Sequence, residues 1–450
     1  MSSSPSKRTP LQLPQSVGCW LPNQILPPEL CDIVIDFLYA DRASLMSCSL
    51  VCKSWLPASR LHLWDTLKLA PCNIDGFFIL LSYSSTFLPY IQNVEIENAF
   101  TKLAHYEKFW TRWDNLIPYL SSRRLDNVSS FRLSKVSWGL LHDMKWSSSI
   151  LHTFSNVKTL HLSNVSFDSN LQVIQFLCSF PRLEELSIAI CFSFVDDELF
   201  PNDEDVDLAA MIVDETDGGA VMIEDEILPF GYADDTPLWP SLSTLHFTQG
   251  HLFDVFGLNV SSRQEIFLWM AYFLPAPAIR DLVLYSVTTA ELESCGRLLH
   301  AIGGSIEILT ISFLTIFTLA SQISEHIDLS CLTSLRSLHF RQVGWEACDC
   351  AKLSTAFMLL SQIRSPFIQS LSFSLGVGVL DSLSGDQWES LAQALASPYL
   401  LGLQTIEFSI YYHMQAPSEK LYRSRLADCD SKGILHFEFL LAQSSCLFTE

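Results

Sequence analysis

A spacing of three apolar residues, φ-x-x-φ-x-φ, recurs ten times between Ile91 and Phe408. The last two apolar residues of each triplet have the spacing of side chains on one face of a β-strand. Apart from one gap of about 59 residues, successive triplets begin about 26 to 37 residues apart. The pattern therefore predicts a chain that stacks similar strand-containing units one after another. The triplets are Ile91/Val94/Ile96, Val128/Phe131/Leu133, Val157/Leu160/Leu162, Leu183/Leu186/Ile188, Leu242/Leu245/Phe247, Ile279/Leu282/Leu284, Ile306/Leu309/Ile311, Leu335/Leu338/Phe340, Ile368/Leu371/Phe373 and Leu403/Ile406/Phe408.

Helix-like stretches lie between the triplets, so the predicted unit is strand, loop, helix and loop. A unit of this length is typical of a leucine-rich-repeat solenoid. An ordinary α/β domain with crossover helices would show the same local pattern, but ten strands exceed what one doubly wound sheet commonly holds. The asparagine of a regular repeat has Asn98 and Asn164 as near candidates, which predicts irregular repeats. The helix-like stretches include Leu171–Phe180, Gln264–Leu274, Glu291–Ile302, Ala351–Ile363 and Asp386–Ala396.

A second organised stretch, Leu21–Leu69, precedes the repeats. Pro27, Pro28 and Glu29 favour the start of a helix. The predicted apolar face of this helix is Leu30, Ile33, Val34, Phe37 and Leu38, and that of a second helix is Leu45, Cys48, Cys52 and Trp55. Further apolar residues lie off these faces: Ile35, Met46, Leu50 and Val51. A unit of about 50 residues cannot bury so much apolar surface by itself, which indicates a partner.

The motifs in this stretch resemble an F-box. They are LPPEL at Leu26–Leu30, an apolar helix ending at Leu38, SLVCKSW at Ser49–Trp55 and HLW ending at Trp64. More narrowly, the order of LPPELCDIVIDFL and CSLVCKSWLPASRLHL is similar to that of F-box-like proteins of mushroom-forming fungi. The alternative is an isolated helical hairpin that caps the next domain.

The resemblance implies a three-helix module that docks on the Skp-type adaptor, and through it on the cullin, of a cullin–RING ubiquitin ligase. It also implies that the repeats are of the irregular leucine-rich kind often found behind an F-box. The family pattern and the surplus apolar residues together predict the adaptor contacts, which are Leu26, Pro27, Leu30, Ile35, Leu38, Leu45, Leu50, Val51 and Trp55.

The predicted fold class is α/β, with a small N-terminal helical F-box followed by an irregular leucine-rich-repeat-like solenoid. Residues 1–20 are rich in Ser and Pro and lack a continuous apolar core, so a disordered tail is predicted there rather than a signal peptide. The F-box is assigned to residues 21–70 and the repeat domain to residues 71–450.

A strongly acidic stretch at residues 196–236 interrupts the repeats. It holds 15 Asp and Glu and no Lys or Arg. Such a block repels itself, which predicts a disordered insertion between two repeats. Apolar clusters at Met211–Val213 and Val221–Ile223 leave open a docking strip for a basic partner. A calcium site is disfavoured because the stretch has no Asp-x-Asp-x-Asp-Gly loop with a closing Glu.

The composition restricts the class of partner and the compartment. A net charge of −22 argues against nucleic acid, whose phosphates require a basic footprint. Thirteen scattered cysteines are typical of free thiols in a reducing compartment. The best membrane candidate, Ile308–Ala320, has 13 residues, fewer than the roughly 20 that a spanning helix needs. We therefore expect a soluble protein of the cytoplasm, the nucleus or both, without a membrane partner.

Sequence motifs of known catalytic or cofactor sites are absent. The chain contains no G-x-S-x-G, no Gly-rich phosphate loop, no His-Glu-x-x-His and no dinucleotide fingerprint. Cys348 and Cys350, with His339 nearby, have too few further ligands for a metal site and are interpreted as semi-buried thiols. His161, His246 and His339 lie within triplets and are interpreted as structural histidines. We expect no enzyme activity, no metal and no cofactor.

Two functions fit these expectations. The first is a substrate-receptor subunit, in which the F-box binds the adaptor and the repeats bind a protein target. The second is a ligase-independent scaffold, in which the helical module only caps a repeat array used for protein–protein interaction.

The acidic stretch is predicted to be dispensable for folding. Replacing Asp197–Asp235 with a short Gly/Ser linker should shift the melting temperature by only a few degrees, because the entropy of loop closure grows only logarithmically with length. Scanning calorimetry of the two proteins measures the shift. Collapse of the fold after the replacement would show that the stretch is packed.

Overall fold

The chain divides into two compact units, Met1–Trp64 and Asp65–Glu450. The computed structural model describes residues 27–97, 125–136, 138, 153–167, 169–192, 241–248, 260–274, 279–313, 320–341, 350–412 and 419–441. The tail predicted at residues 1–20, Leu26 and the acidic insertion predicted at residues 196–236 lie outside the described residues.

Three helices form the described part of the N-terminal unit. They are α1 (Pro28–Phe37), α2 (Arg42–Val51) and α3 (Leu56–Trp64). Asp41 caps α2, because its carboxylate accepts hydrogen bonds of 3.1 Å from the backbone N–H groups of Ala43 and Ser44. Both α1 and α2 contact α3. His62 of α3 lies 2.7 Å from the carboxylate of Asp36 in α1, which connects the first and last helices.

The core of this unit uses a different face of α1 from the predicted one. The buried apolar residues of α1 and α2 are Cys31, Ile35, Leu45 and Cys48. The exposed residues of the predicted α1 face are Leu30, Ile33, Val34 and Phe37. Cys31 and Ile35 are one turn apart, and the Asp36–His62 contact holds this side of the helix towards α3. The prediction for α2 is confirmed at Leu45 and Cys48, but the helix ends at Val51, so that Cys52 and Trp55 lie beyond it, exposed and half-buried respectively.

Among the described residues, twelve parallel strands pair in sequence order to form the sheet of the second unit. This order distinguishes the fold from a doubly wound sheet, in which the strand order reverses at a switch point. Strands in sequence order, connected by helices, are the arrangement of a leucine-rich-repeat-like solenoid. The strands are β1 (Thr66–Leu69), β2 (Asn93–Glu97), β3 (Ser130–Ser134), β4 (Thr159–Phe167), β5 (Glu185–Phe192), β6 (Thr244–Phe247), β7 (Asp281–Val287), β8 (Ile308–Phe313), β9 (Ser337–Phe340), β10 (Ser370–Gly376), β11 (Thr405–Tyr412) and β12 (Leu435–Leu441).

All ten predicted triplets form strands, and their last two apolar residues align in two continuous rows across the sheet. The first row is Leu67, Val94, Phe131, Leu160, Leu186, Leu245, Leu282, Leu309, Leu338, Leu371, Ile406 and Leu435. The second row is Leu69, Ile96, Leu133, Leu162, Ile188, Phe247, Leu284, Ile311, Phe340, Phe373, Phe408 and Phe437. These side chains are buried, except for the half-buried Phe437 on the last strand.

Two strands were missing from the sequence prediction, one at each end of the sheet. β1 belongs to the triplet Trp64/Leu67/Leu69, which was assigned to the F-box because HLW is part of that motif. β12 does contain the spacing, at Ile434, Phe437 and Phe439, but this triplet is two residues out of register with Leu435 and Phe437, the residues that join the two rows. The sheet therefore begins before the boundary predicted at residue 70, since β1 pairs with β2.

The five helix-like stretches of the sequence are confirmed as helices in the connections. The helices of the described part of this unit are α4 (Ile74–Tyr83), α5 (Asn170–Cys178), α6 (Val260–Phe273), α7 (Leu292–Ile302), α8 (Ala320–His326), α9 (Cys350–Gln362), α10 (Val377–Ser382), α11 (Gly385–Leu395), α12 (Glu419–Arg425) and α13 (Ala427–Ser431). Short 3₁₀ turns span Leu88–Tyr90, Thr289–Glu291, Gly303–Ser305, Leu329–Cys331 and Pro398–Leu400. Within the described ranges, no helix has the length and apolar character needed to cross a membrane.

Each strand from β2 to β11 starts with the same pair of backbone hydrogen bonds to the preceding repeat. The N–H groups of Arg280 and Asp281, for example, both donate to the carbonyl oxygen of Ser243, at 2.8 and 3.1 Å. A shared acceptor at the same position of every triplet fixes the register of each strand relative to the one before it. The two apolar rows follow from this common register.

Polar side chains next to the first apolar residue of a triplet reinforce this junction. They donate to backbone carbonyl oxygens of the preceding repeat, and thereby give these loop carbonyl groups a hydrogen-bond partner. These hydrogen bonds join Asn127 to Pro89 at 2.7 Å, Asn156 to Asp126 at 3.1 Å, Ser305 to Ile279 at 2.7 Å and Ser334 to Gly304 at 2.6 Å.

The ends of three strands explain why the repeats are irregular. Positive φ angles of 57°, 54° and 52° occur at Lys135, Asn164 and Ser286, each two residues after the last apolar residue of its triplet. The residues that follow them are the buried valines Val136, Val165 and Val287. A regular leucine-rich repeat has its asparagine at that following position. Asn164 is therefore not the repeat asparagine but part of a β-bulge, where the register of β4 and β5 shifts.

Phenylalanine replaces aliphatic residues in the second row over the last four strands. The rings of Phe340, Phe373, Phe408 and Phe437 stack with centroid distances of 5.5, 5.0 and 5.3 Å. Their planes differ by no more than 15°. Aromatic pairs of this kind contribute about 0.5–1.5 kcal/mol each beyond the area that they bury.

Two helical glycines should respond oppositely to substitution by alanine. A Cβ atom at Gly296 in α7 would stand 2.0 Å from the backbone oxygen of His326, whereas one at Gly76 in α4 would meet nothing within 4 Å. We expect Gly296→Ala to lower the free energy of unfolding by about 1–3 kcal/mol, as overpacking does. Gly76→Ala should raise it by up to about 1 kcal/mol. Urea unfolding measures both, and equal stability of Gly296→Ala and the wild type would contradict the close approach of α7 and α8.

Candidate functional site

The N-terminal unit exposes a large apolar surface on α1 and α2. Phe37 is 84% exposed, Leu50 86% and Val51 61%. The other exposed apolar residues of these helices and their junction are Leu30, Ile33, Val34, Tyr39 and Met46. Large apolar side chains grouped on so small a unit mark an interaction site, because exposure to water costs free energy that only a partner recovers.

The predicted adaptor contacts differ in how far the structure exposes them to solvent. The exposed ones are Pro27, Leu30, Leu50 and Val51, the half-buried ones are Leu38 and Trp55, and the buried ones are Ile35 and Leu45. Leu26 lies outside the described residues. Ile35 and Leu45 are 0% and 1% exposed, so they hold the three helices together rather than offering a contact. Sequence reasoning missed Ile33, Val34 and Phe37 as surface residues, because it placed them on the packed face of α1.

The outward face of the sheet is the second candidate surface. The residue between the two apolar rows points away from the core in each strand, since side chains alternate along a strand. Across the sheet this position is occupied by Lys68, Glu95, Arg132, His161, Ser187, His246, Val283, Thr310, His339, Ser372, Glu407 and His436. The mixture of charge, hydroxyl and imidazole suits recognition of a polar protein surface.

Histidines on this face sit among charged side chains rather than in the core. Burial lowers the pKa of His161, and the positive charge of Arg132 lowers it further, while Glu185 opposes the shift. Burial also lowers the pKa of His339, with Arg341 acting in the same direction. Both imidazoles are therefore held towards their neutral forms in the folded protein.

Further polar side chains lie near the ends of β7, β8 and β9. The guanidinium of Arg341 lies 5.8 Å from the ring centroid of Tyr285. Burial raises the pKa of the Tyr285 hydroxyl, and the charge of Arg341 opposes that shift. Ser312 is 2% exposed, and its hydroxyl has no hydrogen-bond partner among the described residues. Arg341 is thus a surface cation beside a half-buried phenol.

Reactive chemistry has little support in the described residues. Within these residues, no group of three or more His, Cys, Asp and Glu could hold a metal ion. Burial raises the pKa of the Cys295 thiol to about 12 and that of Cys331 to about 11, so neither is a ready nucleophile at neutral pH. Cys348 lies outside the described residues, and the side chain of Cys350 is not described.

Comparison with known proteins gives a likeness of fold. No family model matches the sequence, and no curated protein matches it. Among solved structures, the chain is similar to the leucine-rich repeat-containing protein LegL7 from Legionella pneumophila, with 15% identity, a TM-score of 0.35, and coverage of 80% of this chain and 98% of that one. It is also similar to a chain of the yeast Rad7 and Elc1 complex, with 12% identity, a TM-score of 0.38, and coverage of 93% and 90% respectively. Both likenesses are loose, so the solenoid assignment rests on strand order and pairing.

The face histidines should make stability depend on pH. Because burial lowers the pKa of His161 and His339 in the folded protein below the ordinary imidazole value of about 6.5, the unfolded chain binds protons more readily. The free energy of unfolding should therefore fall as the pH drops from about 6.5 towards the lower pKa values that the two histidines have in the folded protein. We expect His161→Gln/His339→Gln to reduce this fall, as measured by urea unfolding at several pH values. His300→Gln, at an exposed position of α7, is the control, and an unchanged pH dependence in the double variant would contradict the burial argument.

Proposed function

We propose that this chain is a substrate-receptor subunit of a Skp–cullin–F-box ubiquitin ligase. The observation that carries the proposal is the apolar surface of the three-helix unit, with Phe37, Leu50 and Val51 largely exposed. The resemblance of LPPEL and SLVCKSW to an F-box supports a Skp-type adaptor as the partner that covers this surface, with the cullin reached through it. The likeness to mushroom-forming fungal F-box-like proteins belongs to the same proposal.

The repeat domain supplies the second half of the proposed function. Its outward sheet face spans twelve strands in one register, which offers a long surface to a protein target. A receptor of this kind performs no covalent step itself and is not an enzyme. It accelerates transfer by proximity, because it holds a target lysine near the ubiquitin thioester of another subunit.

The alternative function is a ligase-independent scaffold that binds proteins through the same sheet. Adaptor binding distinguishes the two, since a scaffold has no need of the apolar surface on α1 and α2. Purified adaptor should bind the intact chain and should not bind a chain that lacks residues 1–64. Failure of the intact chain to bind would overturn the receptor proposal and favour the scaffold.

The contact residues can be tested one group at a time. We expect Leu50→Ser/Val51→Ser to weaken adaptor binding at least about tenfold, since apolar anchors near the centre of an interface contribute about 2 kcal/mol or more each. Leu171→Ser/Tyr272→Ser is the matched control, because both residues are exposed apolar positions of the repeat domain. Calorimetric titration measures the affinity, and a melt confirms folding. Equal losses in the two variants would show that the exposed surface of α2 is not the adaptor site.

The buried positions should behave differently. Ile35→Ala should lower the free energy of unfolding of the N-terminal unit by about 2–5 kcal/mol, because it opens a cavity in a small core. Any loss of adaptor binding should then follow the fraction unfolded, measured in the same buffer. Weak binding by a fully folded Ile35→Ala protein would instead place this side chain in the interface.

A further inference from the structure

Arginine and aromatic side chains recur in successive repeats at the edge of the sheet where β7 to β11 begin. These side chains and their neighbours, called here the Arg–aromatic strip, are Arg280, Glu307, Arg336, Arg364, Phe367, Tyr399 and Leu401. Glu307 lies 3.9 Å from Arg280 and 3.3 Å from Arg336, and it therefore joins three successive repeats. The guanidinium of Arg336 then lies 5.9 Å from the ring centroid of Phe367 in the next repeat.

The strip continues into the repeat of β11. Arg364, three residues before Phe367 in the same loop, lies 5.3 Å from the ring centroid of Tyr399. Leu401 follows Tyr399 in the next turn and is 70% exposed. Along this edge, Arg280 and Arg336 flank Glu307, and Arg336 and Arg364 each lie beside an aromatic ring of the next repeat. Each of these side chains is presented by the loop before a strand. The common register of the strands keeps these loops side by side.

Stability does not account for this arrangement. Arg280 and Arg336 are 71% and 50% exposed, and exposed ion pairs contribute about 0–1 kcal/mol. Arg364 does have a structural role, because it donates to the carbonyl oxygens of Ser361 and Ile363 at the end of α9. Phe367, however, remains 53% exposed beside its arginine. Exposed apolar side chains beside cations are typical of an interaction surface.

We propose that the Arg–aromatic strip binds an acidic, partly apolar segment of a protein partner. Charge complementarity favours an acidic partner, because the strip has three arginines and one glutamate although the whole chain has a net charge of −22. Carboxylates pair with guanidinium groups through two parallel hydrogen bonds. The apolar side chains of the same segment cover Phe367 and Leu401, which water otherwise contacts.

Nucleic acid also binds to arginine and aromatic residues, but it fits this strip less well. Its backbone brings one negative charge per nucleotide, and the strong net negative charge of the chain repels such a polyanion. Glu307 stands between Arg280 and Arg336, where it would face a phosphate. A peptide places its carboxylates at intervals and offers backbone N–H groups that Glu307 can accept from.

This inference concerns the repeat domain and does not depend on adaptor binding. The two are separated experimentally, because the strip variants retain the surface of α1 and α2. Adaptor affinity should therefore be unchanged in every strip variant. If the adaptor failed to bind at all, the receptor proposal would fall and the strip would still be testable.

The test is charge reversal in the full chain. Arg280→Glu/Arg336→Glu/Arg364→Glu should bind a labelled peptide of repeated Glu-Leu-Asp triplets at least about tenfold more weakly than the wild type, measured by fluorescence anisotropy at low salt. Lys158→Glu/Arg297→Glu/Lys432→Glu is the matched control, since it makes the same change in net charge at exposed positions outside the strip. Wild-type binding should also weaken as salt is added.

Further comparisons exclude the simpler explanations. If charge reversal unfolds the protein, the neutral variant Arg280→Gln/Arg336→Gln/Arg364→Gln takes its place, with the same expected direction. A peptide of Gln-Leu-Asn triplets should not bind. Equal losses in the strip and control variants, or no wild-type binding of the acidic peptide, would overturn the proposal. Preferential binding of a single-stranded RNA over the peptide would overturn the class of partner.

Discussion

The repeat domain depends on one backbone interaction, in which two N–H groups at the start of a strand share the carbonyl oxygen of the residue just before the preceding strand. Because this junction recurs from β2 to β11, all strands enter the sheet in the same register. The same register places the apolar residues in two unbroken rows and leaves the intervening residues on the outward face. Packing, the outward face and the Arg–aromatic strip are all consequences of that alignment. A shift of one residue in any strand would turn its apolar side chains to the other face.

The sequence predicted those features whose physical cause is local. The triplet spacing is itself the alternation of a strand, so ten strands and their buried residues could be predicted directly. β12 was not among them, and its triplet spacing at Ile434, Phe437 and Phe439 is two residues out of register with the pairing to β11. The inner face of α1 could not be predicted. It depends on the packing of α1 against α3, which only the tertiary fold brings about.

The candidate surfaces show the same division between local and long-range causes. The surplus of apolar residues in α2 was visible in the sequence, and Leu50 and Val51 are indeed exposed. The strip was not visible, because Arg280 and Arg336 are two repeats apart and become neighbours of Glu307 only in the aligned sheet.

The two units also differ in the kind of surface that they expose. The helical unit offers an apolar surface suited to a stable partner, whereas the repeats offer polar and charged surfaces suited to a more selective one.

Several side-chain hydrogen bonds between repeats run from the later repeat to the earlier one. Asn127, Asn156 and Ser334 each donate backwards, to a carbonyl oxygen of the repeat made earlier during synthesis. A nascent chain emerging from the ribosome therefore finds each acceptor already in place when its donor appears, and no repeat has to wait for a later one to complete these bonds. Since chains lengthen at about 5–20 residues per second, a repeat has seconds in which to dock before the next one emerges. These three bonds can therefore form in the order of translation, each as soon as its own repeat has emerged.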